Sequence, residues 1–346
     1  MMALTYQGPG RKSWEARPVP KLRAPTDAVV KILATTICGT DLHILKGDVP
    51  EVTPGRILGH EGVGTVTEVG AAVTAVKPGD TVLISCISSC AICPSCREGM
   101  YSHCERGGGW VLGHLIDGTQ AEYVRIPFAD TSLYPLAAGA DAGASAMLSD
   151  IFPTALECGV LNGRVKPGDV VAVVGAGPIG LACVLTAQFY GPAEIIAIDR
   201  DDHRLAAAKK FGATRTINPA REDAVKRVTE LTGGRGADAV IEAVGVPETF
   251  ELCQELVAAG GVIANIGVHG KSATLHLEKL WARNIAITTR LVDTAATPML
   301  LKAVRSGKLD PARLVTHRFP LGEILKAYDV FSDAAKSKAL KVVLTA

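Results

Sequence analysis

The spacing of hydrophobic and polar positions changes near residue 153. Before that point, short apolar runs are separated by glycine and proline turns, as at Ala28–Leu33, Gly62–Val69 and Thr81–Ser85. Short runs of this kind, bounded by turn residues, are typical of β-strands. The first part of the chain is therefore predicted to be an irregular, mostly β domain.

Beyond residue 153, apolar strands alternate with segments of helix length, such as Arg204–Phe211. This alternation predicts an α/β fold with a parallel sheet covered by helices on both faces. The predicted strands are Val170–Val174, Glu194–Ile198, Ala239–Glu242, Val262–Ile266 and Ile285–Thr289.

The pattern of hydrophobic and polar positions changes again near Leu291, where the last stretch of the chain begins. It contains a predicted helix at Pro298–Arg305 and a final strand at Lys341–Leu344. A chain of 346 residues exceeds the size at which a single core usually stops growing. We expect two domains, one made of residues 1–152 and 291–346 and the other of residues 153–290.

Charge and composition exclude several classes of protein. Lys and Arg number 36 against 35 Asp and Glu, which gives a net charge of +1 and no dense basic run. Nucleic-acid binding is therefore not expected. The N-terminus lacks the apolar stretch of a secretory signal, so we expect a cytoplasmic protein with reduced thiols. The uncharged span Val170–Ala187 has membrane-helix length, but its glycines and Pro178 divide it, so a membrane segment is not expected.

Four cysteines lie within one short loop, at Cys90, Cys93, Cys96 and Cys104. Two Cys-x-x-Cys steps followed closely by a fourth cysteine favour a closed, structural zinc site. An iron–sulfur cluster and a pair of disulfides are the alternatives, and disulfides would require an oxidising compartment.

A Gly-x-Gly-x-x-Gly motif directly follows the predicted strand Val170–Val174 and precedes a helical run. In this context the first glycine allows a tight turn, the second lets the backbone approach a pyrophosphate, and the third allows close helix packing. The helix N-terminus then offers N–H groups to the phosphates. A tight turn without a ligand is the alternative. The residues predicted to contact the coenzyme here are Gly175, Gly177, Pro178, Ile179 and Gly180.

Asp199 ends the next predicted strand, where a carboxylate accepts hydrogen bonds from ribose hydroxyls and repels a 2′-phosphate. NAD is therefore favoured over NADP. Arg200 follows directly and could accommodate that phosphate, so NADP stays open. A helix cap is the alternative role for Asp199.

A second set of possible metal ligands lies upstream of the cysteine loop. Cys38, His60 and Glu61 occur in the segments TTICGTDLH and LGHEGVG. Packed core residues are the alternative on spacing alone. A zinc site with one open position beside a nicotinamide would be a hydride-transfer site.

These segments resemble the zinc-dependent alcohol dehydrogenases of the medium-chain dehydrogenase/reductase superfamily over essentially the whole chain. The resemblance rests on CGTDLH at residues 38–43, GHEGVG at 59–64, the cysteine quartet and the GAGPIG motif. It implies a GroES-like, mostly β catalytic domain with two zinc sites and a Rossmann-type nucleotide domain between its two parts. It also implies two Zn²⁺ per chain, NAD, and a homo-oligomer, either a tetramer or a dimer.

The resemblance implies that Cys38 and His60 bind the catalytic zinc. Many members have a cysteine as third ligand, whereas the matching segment MLSDIFPT offers Asp150, as in bacterial secondary alcohol dehydrogenases. A helix cap is the alternative role for Asp150. Glu61 is expected behind the metal, which it approaches when water exchanges, and Asp41 is expected to orient the zinc-bound histidine.

The remaining site residues are also implied by the resemblance. Thr40 and His43 would relay the proton from the alcohol to the surface. Trp110 would line the substrate pocket and favour a small or medium apolar alcohol over a polyol, although a core role is the alternative. Further coenzyme contacts are expected from Thr154, Arg204, Ile266, Gly267, Val268 and Lys341.

The function expected from these features is reversible hydride transfer between a primary or secondary alcohol and NAD. A formaldehyde or polyol dehydrogenase of the same superfamily is the alternative within the enzyme class. A non-catalytic, NAD- and zinc-binding regulatory protein is the alternative from another class, and the intact ligand and relay residues argue against it.

Overall fold

The computed structural model describes residues 1–346, and these divide into two compact units. The first unit comprises Met1–Asp150 and Asp293–Ala346, and the second comprises Ile151–Val292. The chain therefore leaves the first unit once and returns to it once.

The first segment of the first unit is mostly β-structure, as its short apolar runs predict. Its strands are β1 Met2–Tyr6, β2 Lys12–Ala16, β3 Ala28–Thr36, β4 Gly62–Val69, β5 Thr81–Ile84, β6 Tyr123–Ile126 and β7 Leu133–Pro135. Its helices are α1 Gly39–Lys46, α2 Pro94–Arg97, α3 Ala129–Ser132 and α4 Ala142–Ser145, with 3₁₀ turns at Tyr101–His103 and Ala146–Leu148.

The second unit alternates strands and helices. It comprises α5 Ile151–Thr154, a π-helix Ala155–Leu161, β8 Val170–Val174, α6 Pro178–Ala187, a 3₁₀ turn Gln188–Tyr190, β9 Glu194–Ile198, α7 Asp202–Phe211, β10 Arg215–Ile217, α8 Ala224–Leu231, β11 Ala237–Glu242, α9 Pro247–Leu256, β12 Val257–Asn265, α10 Leu277–Leu280 and β13 Ala286–Thr289.

The returning segment completes the first unit. It contains α11 Thr297–Arg305, a 3₁₀ turn Pro311–Leu314, β14 Val315–Pro320, a 3₁₀ turn Leu321–Glu323, α12 Ile324–Ser332, α13 Ala334–Ser337 and β15 Lys341–Thr345.

The main sheet of the first unit has seven strands and is mixed. Its order is β14-β15-β3-β4-β5-β7, with β6 also paired to β3, while β1 and β2 form a separate hairpin. β14 and β15 pair in parallel, and the other neighbours pair antiparallel. β15 inserts beside β3, so the C-terminal strand contributes to the same apolar core as the N-terminal segment.

The second unit contains one six-stranded, wholly parallel sheet in the order β10-β9-β8-β11-β12-β13. Its central strands are buried because they carry almost only Val, Ile and Ala, as strands covered on both faces do. β8 and β9 pair from Val170 opposite Glu194 to Val174 opposite Ile198. The residues after these two strands therefore lie at the same edge of the sheet, which is where open α/β sheets bind ligands.

Each strand predicted from the apolar pattern is present, several with longer bounds. β12 begins five residues before the predicted Val262, and β3 continues three residues beyond Leu33. The π-helix Ala155–Leu161 was not predicted, since hydrophobic periodicity does not distinguish it from an α-helix. None of the helices combines the length and apolar composition that crossing a bilayer requires.

Candidate functional site

Three potential metal ligands from distant parts of the sequence meet within the first unit. Cys38 is the N-cap of α1, His60 lies two residues before β4, and Asp150 ends the first segment of the unit. Asp150 Oδ2 lies 3.2 Å from His60 Nε2 and 3.8 Å from Cys38 Sγ. One ligand atom from each residue lies within 4.8 Å of the other two. The structure thus brings together the three residues expected to bind the catalytic metal.

The electrostatics of this trio favour a positive charge at its centre. Burial opposes protonation of the His60 imidazole, but contacts with Asp150 and Cys38 outweigh burial and hold the pKa of His60 well above its ordinary value. His60 is 4% exposed, so solvent screens the negative charges of Asp150 and Cys38 only weakly. A divalent cation would supply this charge and displace the proton.

The donor set also fits zinc by geometry. Tetrahedral zinc holds sulfur at about 2.3 Å and nitrogen or oxygen at about 2.0–2.2 Å. Neighbouring donors around such an ion are therefore about 3.3–3.7 Å apart. The 3.2 Å and 3.8 Å separations here are close to that range. Three protein donors leave the fourth position open, as in catalytic zinc sites.

Asp41 does not make the hydrogen bond to His60 that the resemblance implied. Its Oδ2 accepts hydrogen bonds from the Cys38 backbone N–H and from Gln120 Nε2, both at 2.9 Å, and its Oδ1 has no partner. The reason is helix capping, because Asp41 occupies the N3 position of α1 and reaches back to the N-cap residue. Asp41 therefore fixes the backbone of Cys38. Its interaction with His60 is the Coulomb attraction between the two side chains, without a hydrogen bond.

Glu61 and Lys341 form a buried ion pair next to the trio, and each is 1% exposed. Glu61 Oε2 accepts from the Lys341 ammonium and from the Thr36 hydroxyl, while its Oε1 has no partner. Burial opposes the charge on Lys341, but the Glu61 carboxylate outweighs burial and raises the pKa of the ammonium. Lys341 also donates to the Ile37 carbonyl at 3.2 Å. These partners of Lys341 lie within the first unit, and its expected contact with a pyrophosphate stays a prediction.

The expected relay residues both lie on α1. The Thr40 hydroxyl is 3.6 Å from Cys38 Sγ, which places it beside the metal trio. His43 lies in the last turn of the helix, where its Nδ1 is 2.8 Å from Asp48 Oδ2 and its side chain is 31% exposed. One hydroxyl is therefore at the site and one imidazole is at the surface, along a single helix.

Trp110 lies beside the metal trio, with its ring centroid 6.3 Å from that of His60 in an edge-on arrangement. Its other neighbour is His114, whose ring stacks on it at 4.2 Å. His114 Nδ1 is 2.9 Å from the Trp110 carbonyl oxygen, so it donates to that oxygen and fixes the stack. Trp110 is thus an aromatic wall next to a metal ligand.

The four cysteines of the loop also converge in the first unit, with all four sulfurs within 4.8 Å of one another. They are not disulfide-bonded, and Cys90 Sγ and Cys96 Sγ are 3.9 Å apart. Backbone N–H groups of the loop point at the sulfurs, at 3.3 Å from Cys90 N to Cys104 Sγ and 3.5 Å from Glu105 N to Cys93 Sγ. The alternative prediction of two disulfides is therefore wrong, and the arrangement fits a tetrahedral metal site with four sulfur ligands.

The thiols of this quartet ionise unequally. Burial opposes ionisation of Cys90, but backbone N–H donors outweigh it and lower its pKa to about 6. Burial raises the pKa of Cys96 to about 12. Four adjacent thiolates require a cation to balance their charge, and zinc provides it.

The glycine-rich loop of the second unit has the geometry of a phosphate cradle. Gly175 has φ +98°, and a Cβ there would lie 2.5 Å from Val244 Cγ2. A Cβ on Gly180 would lie 1.8 Å from the Gly175 carbonyl oxygen, so α6 packs directly on the turn. A Cβ on Gly177 would meet only Arg204, at 3.9 Å, which leaves room for a ligand in front of the α6 N-terminus, where Pro178 and Ile179 are half-buried.

Asp199 lies at the same sheet edge and is oriented by the backbone. Its Oδ2 accepts from the Ala176 N–H at 2.7 Å and its Oδ1 from the Asp201 N–H at 2.8 Å. Arg204 Nη1 is 3.9 Å from Asp199, and Arg200 is exposed. A carboxylate oxygen accepts more than one hydrogen bond, so Asp199 retains capacity for ribose hydroxyls.

The residues expected near the nicotinamide lie after β12. The Ile266 and Gly267 N–H groups donate to the Glu242 carbonyl at 2.9 Å and 3.2 Å, which ties this loop to the end of β11. Val268 is 60% exposed and Val244 is 45% exposed, so apolar side chains stand uncovered at the edge that also carries Gly175. Thr154 lies at the end of α5 and is half-buried.

Sequence reasoning missed two parts of the site. Gln120 is fully buried, donates to Asp41 and accepts from the Tyr328 hydroxyl at 2.8 Å, yet nothing in its sequence context indicates this. The Glu61–Lys341 pair did carry a signal, because a lone lysine within the apolar run of β15 requires a buried partner.

Comparison with known proteins gives consistent matches over the full length. A zinc-binding dehydrogenase family model matches residues 178–305, and an alcohol dehydrogenase GroES-like domain model matches residues 24–137. An alcohol dehydrogenase from Cupriavidus necator is 38% identical over 99% of this chain and 98% of its own.

Two solved structures are similar over the whole chain. The zinc dependent alcohol dehydrogenase 2 from Streptococcus pneumonia is 52% identical with a TM-score of 0.96, covering 100% of this chain and 98% of its own. An alcohol dehydrogenase from Thermus sp. ATN1 is 36% identical with a TM-score of 0.92, covering 100% and 99%.

Proposed function

We propose a substrate class and a site for this chain on the premise that it belongs to the zinc-dependent alcohol dehydrogenases of the medium-chain dehydrogenase/reductase superfamily. Membership makes it an oxidoreductase that uses zinc and NAD. Its reaction is the reversible oxidation of a small or medium, primary or secondary alcohol to the aldehyde or ketone.

The convergence of Cys38, His60 and Asp150 is the observation that carries this proposal. These three residues would hold the catalytic zinc, and Asp41 would fix Cys38 through the helix cap. When bound, zinc would act as a Lewis acid that lowers the pKa of the substrate hydroxyl, while NAD would accept the hydride. The Thr40 hydroxyl beside Cys38 would take up the released proton while giving up its own, and His43 would pass that second proton to solvent at the exposed end of α1.

The second unit would bind the coenzyme, as expected for residues 153–290. The loop Gly175–Gly180 would hold the pyrophosphate, and Asp199 would accept the ribose hydroxyls. Ile266–Val268 and Thr154 would contact the nicotinamide end. NAD is favoured because Asp199 is fixed in place and would repel a 2′-phosphate. Arg204 would contact the adenosine, and exposed Arg200 is the residue that would favour NADP instead.

Trp110 would limit the substrate to apolar alcohols. Its ring lies next to His60 and is stacked on His114, so it presents mainly apolar aromatic surface beside the metal trio. The quartet of Cys90, Cys93, Cys96 and Cys104 would hold the second zinc with all four positions filled, so it has no vacancy for a substrate.

The test is a steady-state comparison of primary, secondary, aromatic and polyol alcohols with NAD and with NADP, alongside a metal assay. We expect about two zinc ions per chain and the highest kcat/KM for an apolar alcohol with NAD. A higher kcat/KM for a polyol would contradict the assignment of Trp110. Metal at about one ion per chain would contradict the two-site assignment.

The chain would also assemble as a homo-oligomer, a tetramer or a dimer, in the reducing cytoplasm that nine free cysteines suit. Support comes from the second unit, where β13 is an edge strand of the sheet. Just before it, Trp281 is 80% exposed and Leu277 is 60% exposed, which is unusual for a monomer surface. Trp281→Glu should shift the mass measured by light scattering toward the monomer, whereas Lys271→Glu, on the same unit, should not.

A further inference from the structure

The chain returns to the first unit through a buried polar connection. We call residues 292–297 the crossover and residues 90–104 the cysteine loop. Asp293 is 3% exposed, and its Oδ1 accepts from both the backbone N–H and the hydroxyl of Ser102, at 2.8 Å and 2.7 Å. Ser102 lies in the 3₁₀ turn two residues before Cys104. The crossover is thus bonded directly to the cysteine loop.

The next residue of the crossover has a strained backbone. Thr294 has φ +59°, a conformation that β-branched residues rarely adopt. It is 3% exposed, and its hydroxyl is 2.9 Å from Ser85 Oγ. Strain of this kind persists only where the surrounding contacts impose it. Ser85 on one side and Ser102 through Asp293 on the other are contacts that impose it here.

We propose that the cysteine loop anchors the crossover, and that Asp293 is the positioning residue that joins them. Zinc bound by the quartet would fix the backbone between Cys96 and Cys104, and so would fix both donors of Ser102. The donors in turn hold the Asp293 carboxylate and, through it, the strained backbone of Thr294. Zinc in the quartet would therefore stabilise the conformation of the crossover as well as that of the cysteine loop.

The proposal depends on zinc in the quartet and does not depend on the alcohol reaction. Coupling between two parts of a protein is reciprocal in free energy. If zinc orders the crossover, then weakening the Asp293 bonds must lower the equilibrium affinity of the quartet for zinc by the same factor. The effect of zinc on the crossover and the effect of the Asp293 bonds on zinc binding can therefore each be measured in a separate experiment.

The first experiment measures amide hydrogen exchange in the full chain carrying Cys38→Ser, where the remaining zinc reports the quartet alone. Removing that zinc with a chelator should increase exchange in peptides covering residues 290–299 at least about fivefold. Peptides of β8 and β9, which are buried in the second unit, serve as the internal control and should not change. Unchanged exchange in the crossover, while residues 90–104 become exchangeable, would overturn the proposal.

The second experiment measures the equilibrium affinity for zinc by competition with a chromophoric chelator in the same background. Asp293→Ala should lower that affinity at least about fivefold. Asp293→Asn keeps an acceptor oxygen and should restore most of the affinity. Ser102→Ala removes one of the two hydrogen bonds and should give an intermediate affinity, which remains informative even where Asp293→Ala folds poorly.

Asp310→Ala is the matched control, because Asp310 also accepts a backbone N–H in the returning segment but contacts no residue of the cysteine loop. It should bind zinc with the parent affinity. Parent affinity in both Asp293→Ala and Ser102→Ala would show that the bonds are local packing, and the proposal would be wrong.

Discussion

The two candidate zinc sites of the first unit are assembled from the chain in opposite ways. The quartet takes all its ligands from 15 consecutive residues, Cys90 to Cys104. The trio takes them from Cys38, His60 and Asp150, which are up to 112 residues apart. The first site is a local loop closed on itself, whereas the second exists only when β3, α1 and β4 have already formed around it.

This difference in assembly corresponds to a difference in chemistry. A site of four thiolates in one loop satisfies the ion completely, and it can stabilise only the loop that contains it and the residues bonded to that loop. A site of three ligands on separate elements leaves a position open, and its ligands are held by other groups, as Asp41 holds Cys38. The largest predicted effects separate these two roles.

Cys38→Ser should abolish catalysis and leave the fold intact. We expect kcat/KM to fall about 1,000-fold or more, because the Lewis acid supplies several kcal/mol and each 1.36 kcal/mol is tenfold in rate. Thermal melting should change little, and about one zinc per chain should remain. Cys183→Ser removes a thiol that bonds only the Ala155 carbonyl and should stay active. Near-native activity of Cys38→Ser would contradict the site assignment.

Cys96→Ser should have the opposite profile. Loss of a structural metal is among the few single changes that cost more than about 4 kcal/mol of unfolding free energy. Denaturant unfolding should show this loss, whereas the activity of the protein that remains folded should fall far less than with Cys38→Ser. If the variant unfolds at the parental midpoint, the quartet is not a structural zinc site.

The contrast also explains which features could be predicted from sequence. The quartet and the Gly175–Gly180 loop were predictable because each is one contiguous segment with its own stereochemistry. The strands were predictable because their short apolar runs are bounded by turn residues or alternate with segments of helix length. The trio needed the resemblance to a known family, since Cys38 and Asp150 separately resemble any helix cap or core residue.

Two further assignments show what the sequence alone leaves open. Asp41 was expected to orient His60, yet it bonds Cys38. Lys341 was expected at a pyrophosphate and bonds Glu61 in the structure, so its coenzyme contact stays a prediction. Their identities indicated charge, but not which group each side chain would bond. Helix capping determines the partner of Asp41, and the register of β15 beside β3 determines the partner of Lys341.

Lys341→Met tests the support of the trio and should cost about 3–5 kcal/mol, because it leaves the buried Glu61 carboxylate without its cation. The double variant Glu61→Gln/Lys341→Met should recover much of that stability in denaturant unfolding. Lys326→Met breaks an exposed pair with Glu323 at 3.2 Å and should cost less than about 1 kcal/mol. If Lys341→Met instead weakens NAD binding without losing stability, the original pyrophosphate assignment is correct.

The smallest expected effect concerns the outer side of the quartet, where Glu105 accepts from the Ser95 hydroxyl at 2.6 Å and the Ser95 N–H at 3.2 Å. These hydrogen bonds lower the pKa of Glu105 below its ordinary 4.5. A lowered pKa contributes stability that is present above the unfolded-state pKa and is lost as the pH falls through the folded-state value.

Glu105→Gln should therefore lower the melting temperature slightly at neutral pH, and the difference should vanish once the pH falls below the lowered folded-state pKa of Glu105, where the parent carboxyl is also protonated. Glu98→Gln, an exposed glutamate of the same loop, should show no difference at either pH. Because Ser95 precedes Cys96, the variant should also release quartet zinc slightly faster at neutral pH. A larger loss than that of Lys341→Met would mean that a surface carboxylate stabilises the cysteine loop more than a buried ion pair stabilises the trio. The quartet would then depend on its outer hydrogen bonds as well as on its metal.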